Sequence, residues 1–346
     1  MKYIYILLFS IIFQACSGDE KFINNFPDTN KALLVYNKNG ASTIKVIDLL
    51  GKNVLNENIL LDFPKSAISD TIEKIRQYRY DLFLFIPKAM KIVVVDFNKF
   101  EYKTTIDFSN LNLIPTDIAF ANATDAYVTH ENADFVSLVD LTNYKIAKHI
   151  KVGQSPRAIA AAGNQIYVAN YASGTVSVVD SRTNRQEAII NVPPFPIFAE
   201  VRPDGKEIAI ISRGQGKDFT DVVKTPAIAT FINVSSRQKT AEIPIGTSTI
   251  KAEQVDPIAS CMSSTYYLFV SSGTNLFRIN ARTHSAAINV GKYAYTKLIF
   301  NNYKNEIIAI LEDGAKSKIR ICDPSSGATK YDVPIENGIR WVQPIY

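Results

Sequence analysis

The chain has 346 residues, of which 47% are hydrophobic and 21% are charged, so it can bury a large core, and neither a disordered nor a collagen-like protein is expected. Its 38 basic and 33 acidic residues leave a net charge of +5, spread without a basic run, which is too dilute for a surface that binds nucleic acid. Three His and three Cys provide little material for a metal site or a disulfide framework, whereas 17 Tyr and 19 Phe favour β-strands.

The N-terminus carries a predicted secretion signal. Lys2 precedes an almost entirely apolar segment, residues 3–13, whose length fits a signal peptide rather than a membrane span. Phe13-Gln14-Ala15-Cys16 resembles the lipobox of bacterial lipoproteins. The resemblance implies that residues 1–15 are removed and that Cys16 is acylated. A simple secretion signal that happens to contain a Cys is the alternative.

The next segment is predicted to be a tether. Ser17-Gly18-Asp19-Glu20 resembles the acidic signal that sends lipoproteins of Bacteroidetes-type bacteria to the outer face of the outer membrane. Residues 16–30 are therefore assigned to the acylated Cys and its tether, and residues 31–346 to a single domain. No later run of 18 apolar residues exists, so the lipid is the only predicted membrane attachment.

A repeat fills the rest of the chain. Residues 126–140 and 166–180 match in register at an offset of 40, and each copy reads as strand, tight turn, strand. Each unit also has a preceding inner strand and a following outer strand, which makes the four-stranded blade of a β-propeller. We therefore predict an all-β, seven-bladed β-propeller of four-stranded antiparallel blades, with six or eight blades as alternatives. The mark of each unit is an apolar run that ends in Asp or Asn: Asp48, Asp96, Asp140, Asp180, Asn233, Asn280 and Asp323.

The best-defined repeats resemble a known family. Tyr167-Val168-Ala169-Asn170 closely matches the signature of the YVTN family of 40-residue propeller repeats, and Tyr127-Val128-Thr129-His130 matches it in part. The full signature is sharp only in residues 115–193. The other five blades match by pattern and spacing.

The repeat pattern also predicts how the two ends of the domain close the ring. Blade one begins at Ala32-Leu33 with its second strand, and the chain runs past blade seven into a spare strand at residues 339–343. We expect this strand to complete blade one and to close the ring, with Trp341 as a packing residue. Capping and helical spacing at residues 68–75 predict a short helical turn before the inner strand of blade two.

Enzyme motifs are absent from the sequence. There is no Gly-x-Ser-x-Gly elbow, phosphate-binding loop or His-Glu-x-x-His, and no cofactor is predicted. His130 and His284 are expected in turns and His149 in an outer strand, at the surface or as caps. Cys261 and Cys322 are expected to be buried thiols, with a disulfide as the alternative.

Two insertions depart from the repeat. About 11 extra residues lie within 213–226, between the second and third strands of blade five, and about eight lie around 247–254, before blade six. Both should emerge on one rim, where their charged side chains and an aromatic platform suit a polar or anionic ligand. Loops without a role are the alternative. With neighbouring blade entries, the candidate ligand-binding residues are Arg157, Arg213, Lys217, Asp218, Phe219, Lys224, Lys251, Glu253, Tyr293 and Tyr295.

Three functions are compatible with these features. The first is a non-enzymatic surface lipoprotein that binds a small molecule; the propeller lipoproteins it resembles imply capture of cobalamin or an iron chelate for a TonB-dependent outer-membrane transporter. The second is a scaffold for other cell-envelope proteins. The third is an enzyme, either a lactonase-like hydrolase or a quinoprotein dehydrogenase, although the latter would show several Trp-rich motifs and this chain has one Trp.

Overall fold

The computed structural model describes residues 30–214, 225–293, 295–313 and 316–344. In these ranges 28 strands form seven four-stranded antiparallel sheets, each a blade of a β-propeller. The predicted all-β, seven-bladed architecture is confirmed, and the six- and eight-bladed alternatives are wrong. None of the helices found among these residues is long and apolar enough to cross a membrane.

The strands follow one another blade by blade. Blade one holds β1 (Lys31–Lys38), β2 (Ala41–Asp48) and β3 (Asn53–Asn56); blade two holds β4 (Lys74–Tyr78), β5 (Asp81–Ile86), β6 (Lys91–Asp96) and β7 (Glu101–Asp107). Blade three holds β8 (Pro115–Phe120), β9 (Asp125–His130), β10 (Phe135–Asp140) and β11 (Lys145–Lys151); blade four holds β12 (Pro156–Ala162), β13 (Gln165–Asn170), β14 (Thr175–Asp180) and β15 (Arg185–Asn191). Blade five holds β16 (Pro196–Val201), β17 (Glu207–Ser212), β18 (Ile228–Asn233) and β19 (Lys239–Pro244); blade six holds β20 (Ala259–Met262), β21 (Tyr267–Ser272), β22 (Asn275–Asn280) and β23 (Ile288–Gly291). Blade seven holds β24 (Tyr295–Asn301), β25 (Glu306–Asp313), β26 (Lys316–Cys322) and β27 (Thr329–Ile335), and β28 (Ile339–Pro344) is the last described strand. Three short 3₁₀ helices lie in the described connections: Pro87–Ala89, Ser109–Leu111 and Ala252–Gln254.

The repeated Asp or Asn ends the third strand of each blade or directly follows it, and its side chain holds the next turn. Asp48 Oδ1 accepts hydrogen bonds from the backbone N–H groups of Leu50 (2.9 Å) and Gly51 (3.0 Å). Asn280 Oδ1 does the same for Arg282 (2.9 Å) and Thr283 (3.1 Å). Short side-chain acceptors of this kind favour a tight turn, which explains why the mark recurs in every blade.

The hydrophobic core is divided among the interfaces between neighbouring blades. Seven clusters of buried apolar residues correspond to the seven interfaces of the ring. In β1, Leu33 and Val35 pack toward blade two, whereas Ala32 and Leu34 pack toward blade seven. Because both faces of a blade are buried, its central strands are continuous apolar runs rather than alternating ones.

The C-terminal strand closes the ring as predicted. Strand β28 pairs antiparallel with β1, so blade one is built from both ends of the described chain. Trp341 is 6% exposed and Val342 is fully buried. The closure pairs the edge of β1 that would otherwise be exposed.

The helical turn predicted in residues 68–75 is wrong. Hydrogen-bonded turns occur earlier in this connection, including one at residues 65–67, and β4 already begins at Lys74. Glu73 N donates to Phe85 O at 3.0 Å, so pairing with β5 extends the backbone where the capping pattern favoured a helix. Tertiary pairing therefore overrides a weak local preference.

Candidate functional site

The innermost strands of the seven blades, which are β28 in blade one and the first strand in each of the others, surround a central cavity of about 1270 Å³. One face of the ring carries the interblade connections and the turns between second and third strands; we call it the insertion face. The cavity reaches Arg213 and Asp256 at this face, and Pro203 and Asn302 in turns at the opposite face. A ligand pocket in this fold would therefore be an axial channel between two surfaces.

Ten charged side chains line this cavity. Five are basic and five are acidic: Lys74, Arg76, Arg157, Arg213, Lys297, Glu73, Asp117, Glu131, Glu200 and Asp256.

The most buried of these groups is Asp117, which holds two cations. Arg76 donates to its carboxylate through Nε (2.9 Å) and Nη2 (3.0 Å), and Lys74 Nζ lies 3.3 Å away. Lys74 Nζ also donates to the Thr116 carbonyl at 2.8 Å. The two-pronged Arg76–Asp117 pair fixes both side chains across blades two and three.

Burial shifts the titration of this cluster. It lowers the pKa of Lys74 to about 8, because the charged ammonium loses water and Asp117 only partly compensates. Burial alone would raise the pKa of Asp117, but Arg76 and Lys74 outweigh it and hold that pKa below its usual value. Asp117 is therefore ionised at neutral pH, and Lys74 is still mainly charged there but loses its proton at a lower pH than an ordinary lysine.

A second basic group lies beside the ring of Trp341. Lys297 Nζ is 5.5 Å and the Arg76 guanidinium carbon 5.6 Å from the Trp341 ring centroid, within the range of cation–π contacts. Among the described residues the side chain of Lys297 has no ion pair or hydrogen bond. Burial lowers its pKa; the acids Glu73 and Glu312 oppose this shift, and the charges of Arg76 and Arg340 add to it.

The part of the cavity wall that blades five and six provide is mainly apolar. Phe198, Ile258 and Met262, from blades five and six, line it. The acid of this wall, Glu200, is partly buried and accepts a hydrogen bond from Ser260 Oγ at 2.6 Å, and burial raises its pKa. The cavity thus has a basic, aromatic side and an apolar side.

The predicted insertions meet at the mouth of this cavity. Arg213 donates to Asp256 through Nε (2.6 Å) and Nη2 (3.0 Å), and Ala227 N donates to Ala252 O at 3.0 Å. A Cβ on Gly214, whose φ is +69°, would stand 2.4 Å from Thr225 O, so glycine allows the two ends of the first insertion to approach. The described ends of the two insertions therefore lie side by side. Lys217, Asp218, Phe219 and Lys224 lie outside the described residues.

The other predicted residues are spread more widely. Arg157 lines the cavity, with its guanidinium 5.0 Å from the Tyr171 ring, while Lys251 and Glu253 belong to the second insertion but not to the cavity wall. Tyr293 is 45% exposed and covered by Arg320 at 4.0 Å, and Tyr295 is 1% exposed between blades six and seven. Neither tyrosine lines the cavity.

Sequence reasoning missed the groups inside the channel. Lys74, Asp117, Lys297 and Trp341 occupy corresponding positions of four inner strands, where blade four has Ala158. A charge or Trp in place of a small apolar residue was the available signal. The short inner strands of the weaker repeats could not be aligned well enough from sequence to reveal it.

The His and Cys residues lie away from this cluster or are inert. His130 ends strand β9 and is fully buried, so its predicted place in a turn is wrong; its Nε2 lies 2.8 Å from Ser137 Oγ. Burial lowers the pKa of His130 to about 3 and keeps the ring neutral. Cys261 and Cys322 are buried free thiols, so the disulfide alternative is wrong. Within the described part of the chain, no group of three His, Cys, Asp or Glu side chains is placed to hold a metal ion.

Comparisons with known proteins support the fold. No protein-family profile matches the sequence, and no curated protein matches it. A quinonprotein alcohol dehydrogenase-like protein from Bacteroides thetaiotaomicron has a TM-score of 0.64 at 11% identity, covering 91% of this chain and 78% of that chain. Hydrazine synthase from Kuenenia stuttgartiensis has a TM-score of 0.57 at 15% identity, covering 70% and 73%. At these identities the likeness is one of fold alone.

Proposed function

We propose that this protein is a non-enzymatic binding protein that holds a small molecule in its central channel. The observation that carries the proposal is the cavity of about 1270 Å³ with a basic side around Trp341 and an apolar side facing it. Concave, largely apolar sites with a few convergent polar groups are typical of small-molecule pockets.

The setting of this function is also a proposal. The lipobox-like Cys16 and the acidic residues that follow support a lipid-anchored protein on the outer face of the outer membrane. In that setting the bound molecule would be a nutrient, such as a corrinoid or an iron chelate, passed to a TonB-dependent transporter. The insertion face, with Arg213 and Asp256 at the channel mouth, is the proposed entry.

The proposal is tested by a substitution that narrows the channel and leaves its charged side chains unchanged. Ile258 lines the cavity and is 41% exposed, so Ile258→Trp adds bulk to the cavity without forcing a large side chain into the core. Ile189, 61% exposed on outer strand β15, provides the matched control Ile189→Trp. Native mass spectrometry of protein purified from its host would measure the bound small molecule.

We expect Ile258→Trp to reduce its occupancy at least tenfold and Ile189→Trp to leave it unchanged. Equal occupancy in both variants, or no bound molecule in the parent, contradicts channel binding. Replacing Arg213, Lys217 and Phe219 together with Ala tests separately whether the insertions contribute to affinity.

A scaffold for envelope proteins is the second candidate. Tyr80 and Tyr303, 68% and 64% exposed, lie in turns on the face opposite the insertions, and exposed aromatic residues are common in protein interfaces. Crosslinking in intact cells distinguishes this function, since a scaffold retains its partner in Ile258→Trp.

A hydrolase is tested in the same samples. Lys74, with its pKa of about 8 beside Asp117, is the group that could act as a general base. Turnover of lactones by the parent protein, lost in Lys74→Met, would replace the binding proposal with an enzymatic one.

A further inference from the structure

We propose that the central channel takes an organic acid with a single negative charge, its carboxylate beside Lys297 and Trp341 and its apolar body against blades five and six. This inference rests on the proposed binding function and names the chemical class of the ligand. It follows from which charged side chains of the cavity have an ion-pair partner and which do not.

The basic side of the channel comes from adjacent blades. Lys297 belongs to blade seven, Trp341 to the strand that completes blade one, and Arg76 to blade two. The two cations lie at similar distances, 5.5 Å and 5.6 Å, from the same ring centroid. An acid group at the face of the channel beside Trp341 could therefore reach Lys297 while Arg76 adds attraction from the neighbouring strand.

Most other charges in the cavity already have partners. Arg76 and Lys74 share Asp117, and Arg213 pairs with Asp256. Glu73 and Glu131 are exposed and remain hydrated.

Lys297 is the partly buried basic side chain of the cavity that has no ion pair or hydrogen bond from a described residue; Arg157, which has none either, is exposed and remains hydrated. A half-buried ammonium in this position lacks the compensation that buried charges require. One cation without a counterion calls for one negative charge, which is the charge of a carboxylate at neutral pH.

The lowered pKa of Lys297 agrees with this reading: burial is its largest cause and the charges of Arg76 and Arg340 add to it, while the acids Glu73 and Glu312 oppose the shift without cancelling it. A bound carboxylate would offset both effects by favouring the charged ammonium.

The other half of the ligand is defined by the facing side of the channel. Ile197 and Phe198 of blade five and Ile258 and Met262 of blade six line it. Removing apolar ligand surface from water against such side chains is favourable by roughly 25 cal/mol per Å². The acid is therefore expected to carry a hydrocarbon or aromatic body rather than a second charge.

The chain contains its own reporter of this site. Trp341 is its single Trp, so intrinsic Trp fluorescence comes from the channel alone. Three probes separate the two halves of the ligand: octanoate, acetate with the same acid group, and octan-1-ol with the same hydrocarbon chain. We expect octanoate to change the fluorescence saturably, with at least tenfold higher affinity than either partial probe.

Variants then test the role of Lys297 in octanoate binding. Lys297→Met should weaken octanoate binding at least tenfold, which is about 1.4 kcal/mol, and Lys297→Gln should do so if the Met variant folds poorly. Lys148→Met is the matched control, because Lys148 is exposed on outer strand β11 and is not part of the cavity wall. Thermal melting confirms that each variant is folded.

The outcomes also separate this inference from the proposed function. If octan-1-ol binds as tightly as octanoate, the ligand does not need an acid group. If acetate binds as tightly as octanoate, the ligand does not need an apolar body. In both cases the proposal that the protein binds a small molecule in its channel still stands. Unchanged octanoate affinity in folded Lys297→Met overturns the role of Lys297. If no probe binds, the organic-acid class is wrong, and the occupancy of Ile258→Trp decides whether channel binding survives.

Discussion

Lys74 shows how one side chain connects stability with the site. Its ammonium lines the cavity, is 23% exposed, and is held by Asp117 and the Thr116 carbonyl. The lowered pKa means that the folded protein releases this proton more readily than the unfolded chain does. A buried cation of this kind costs stability unless something compensates its charge.

The contribution of Lys74 to the stability of the protein should therefore rise at alkaline pH. Below pH 8 both folded and unfolded states carry the charge on Lys74. Between about pH 8 and 10.5 the unfolded state binds more protons, so the free energy of unfolding increases with pH, by on the order of 2 kcal/mol. Urea unfolding of the parent and of Lys74→Met at several pH values measures the difference. Parallel pH profiles would contradict the prediction.

The repeated turn residue makes a second prediction at this scale. Asn280→Ala removes two hydrogen bonds to backbone N–H groups and should cost about 1–2 kcal/mol of unfolding free energy. Asn280→Asp is the matched control, because five of the seven blades carry Asp at this place. Equal destabilisation by both substitutions would show that the turn does not depend on the side-chain acceptor.

At the scale of elements, strand β28 has two roles. Its pairing with β1 completes blade one, and its Trp341 forms part of the channel wall between Arg76 and Lys297. Ile339 and Val342 also pack in the interface between blades seven and one. Ring closure and the candidate site therefore share one strand.

Deleting residues 339–346 should open the ring. The chain loses the inner strand of blade one together with buried Trp and Val side chains, so we expect a loss of at least about 4 kcal/mol in unfolding free energy. Gln343→Ala, in the same strand but only partly buried, should change it by less than about 0.5 kcal/mol. If the truncated protein melts at the same temperature as the parent, the ring is not closed by this strand.

For the whole molecule, the N-terminal segment predicts attachment to a membrane. The lipobox-like segment predicts that Cys16 is acylated and that the propeller is attached to a membrane by lipid alone. Cys16→Ser should move the protein from the membrane pellet to the soluble fraction. Persistence in the pellet would contradict the lipoprotein hypothesis, and protease treatment of intact cells tests surface exposure.

The blade pattern was readable from the sequence because it is local. Every unit has an apolar run that ends in Asp or Asn, as at Asp180 and Asn280, whose side chain accepts hydrogen bonds from the next few backbone N–H groups. A tight turn needs such an acceptor close by in the sequence. The spare segment at residues 339–343 could be assigned to blade one by counting strands. Repeat length and turn chemistry therefore determined the blade count, the strand order and the closure.

The candidate site was decided by the tertiary structure. Asp117 meets Arg76 from 41 residues away, and Trp341 meets Arg76 only because the ring closes. Burial, which sets the lowered pKa values of Lys74 and Lys297, depends on seven blades converging on one axis. Sequence located Arg157 and Arg213 by their places in the repeat, but a repeat pattern specifies each blade separately, whereas the channel exists only between them.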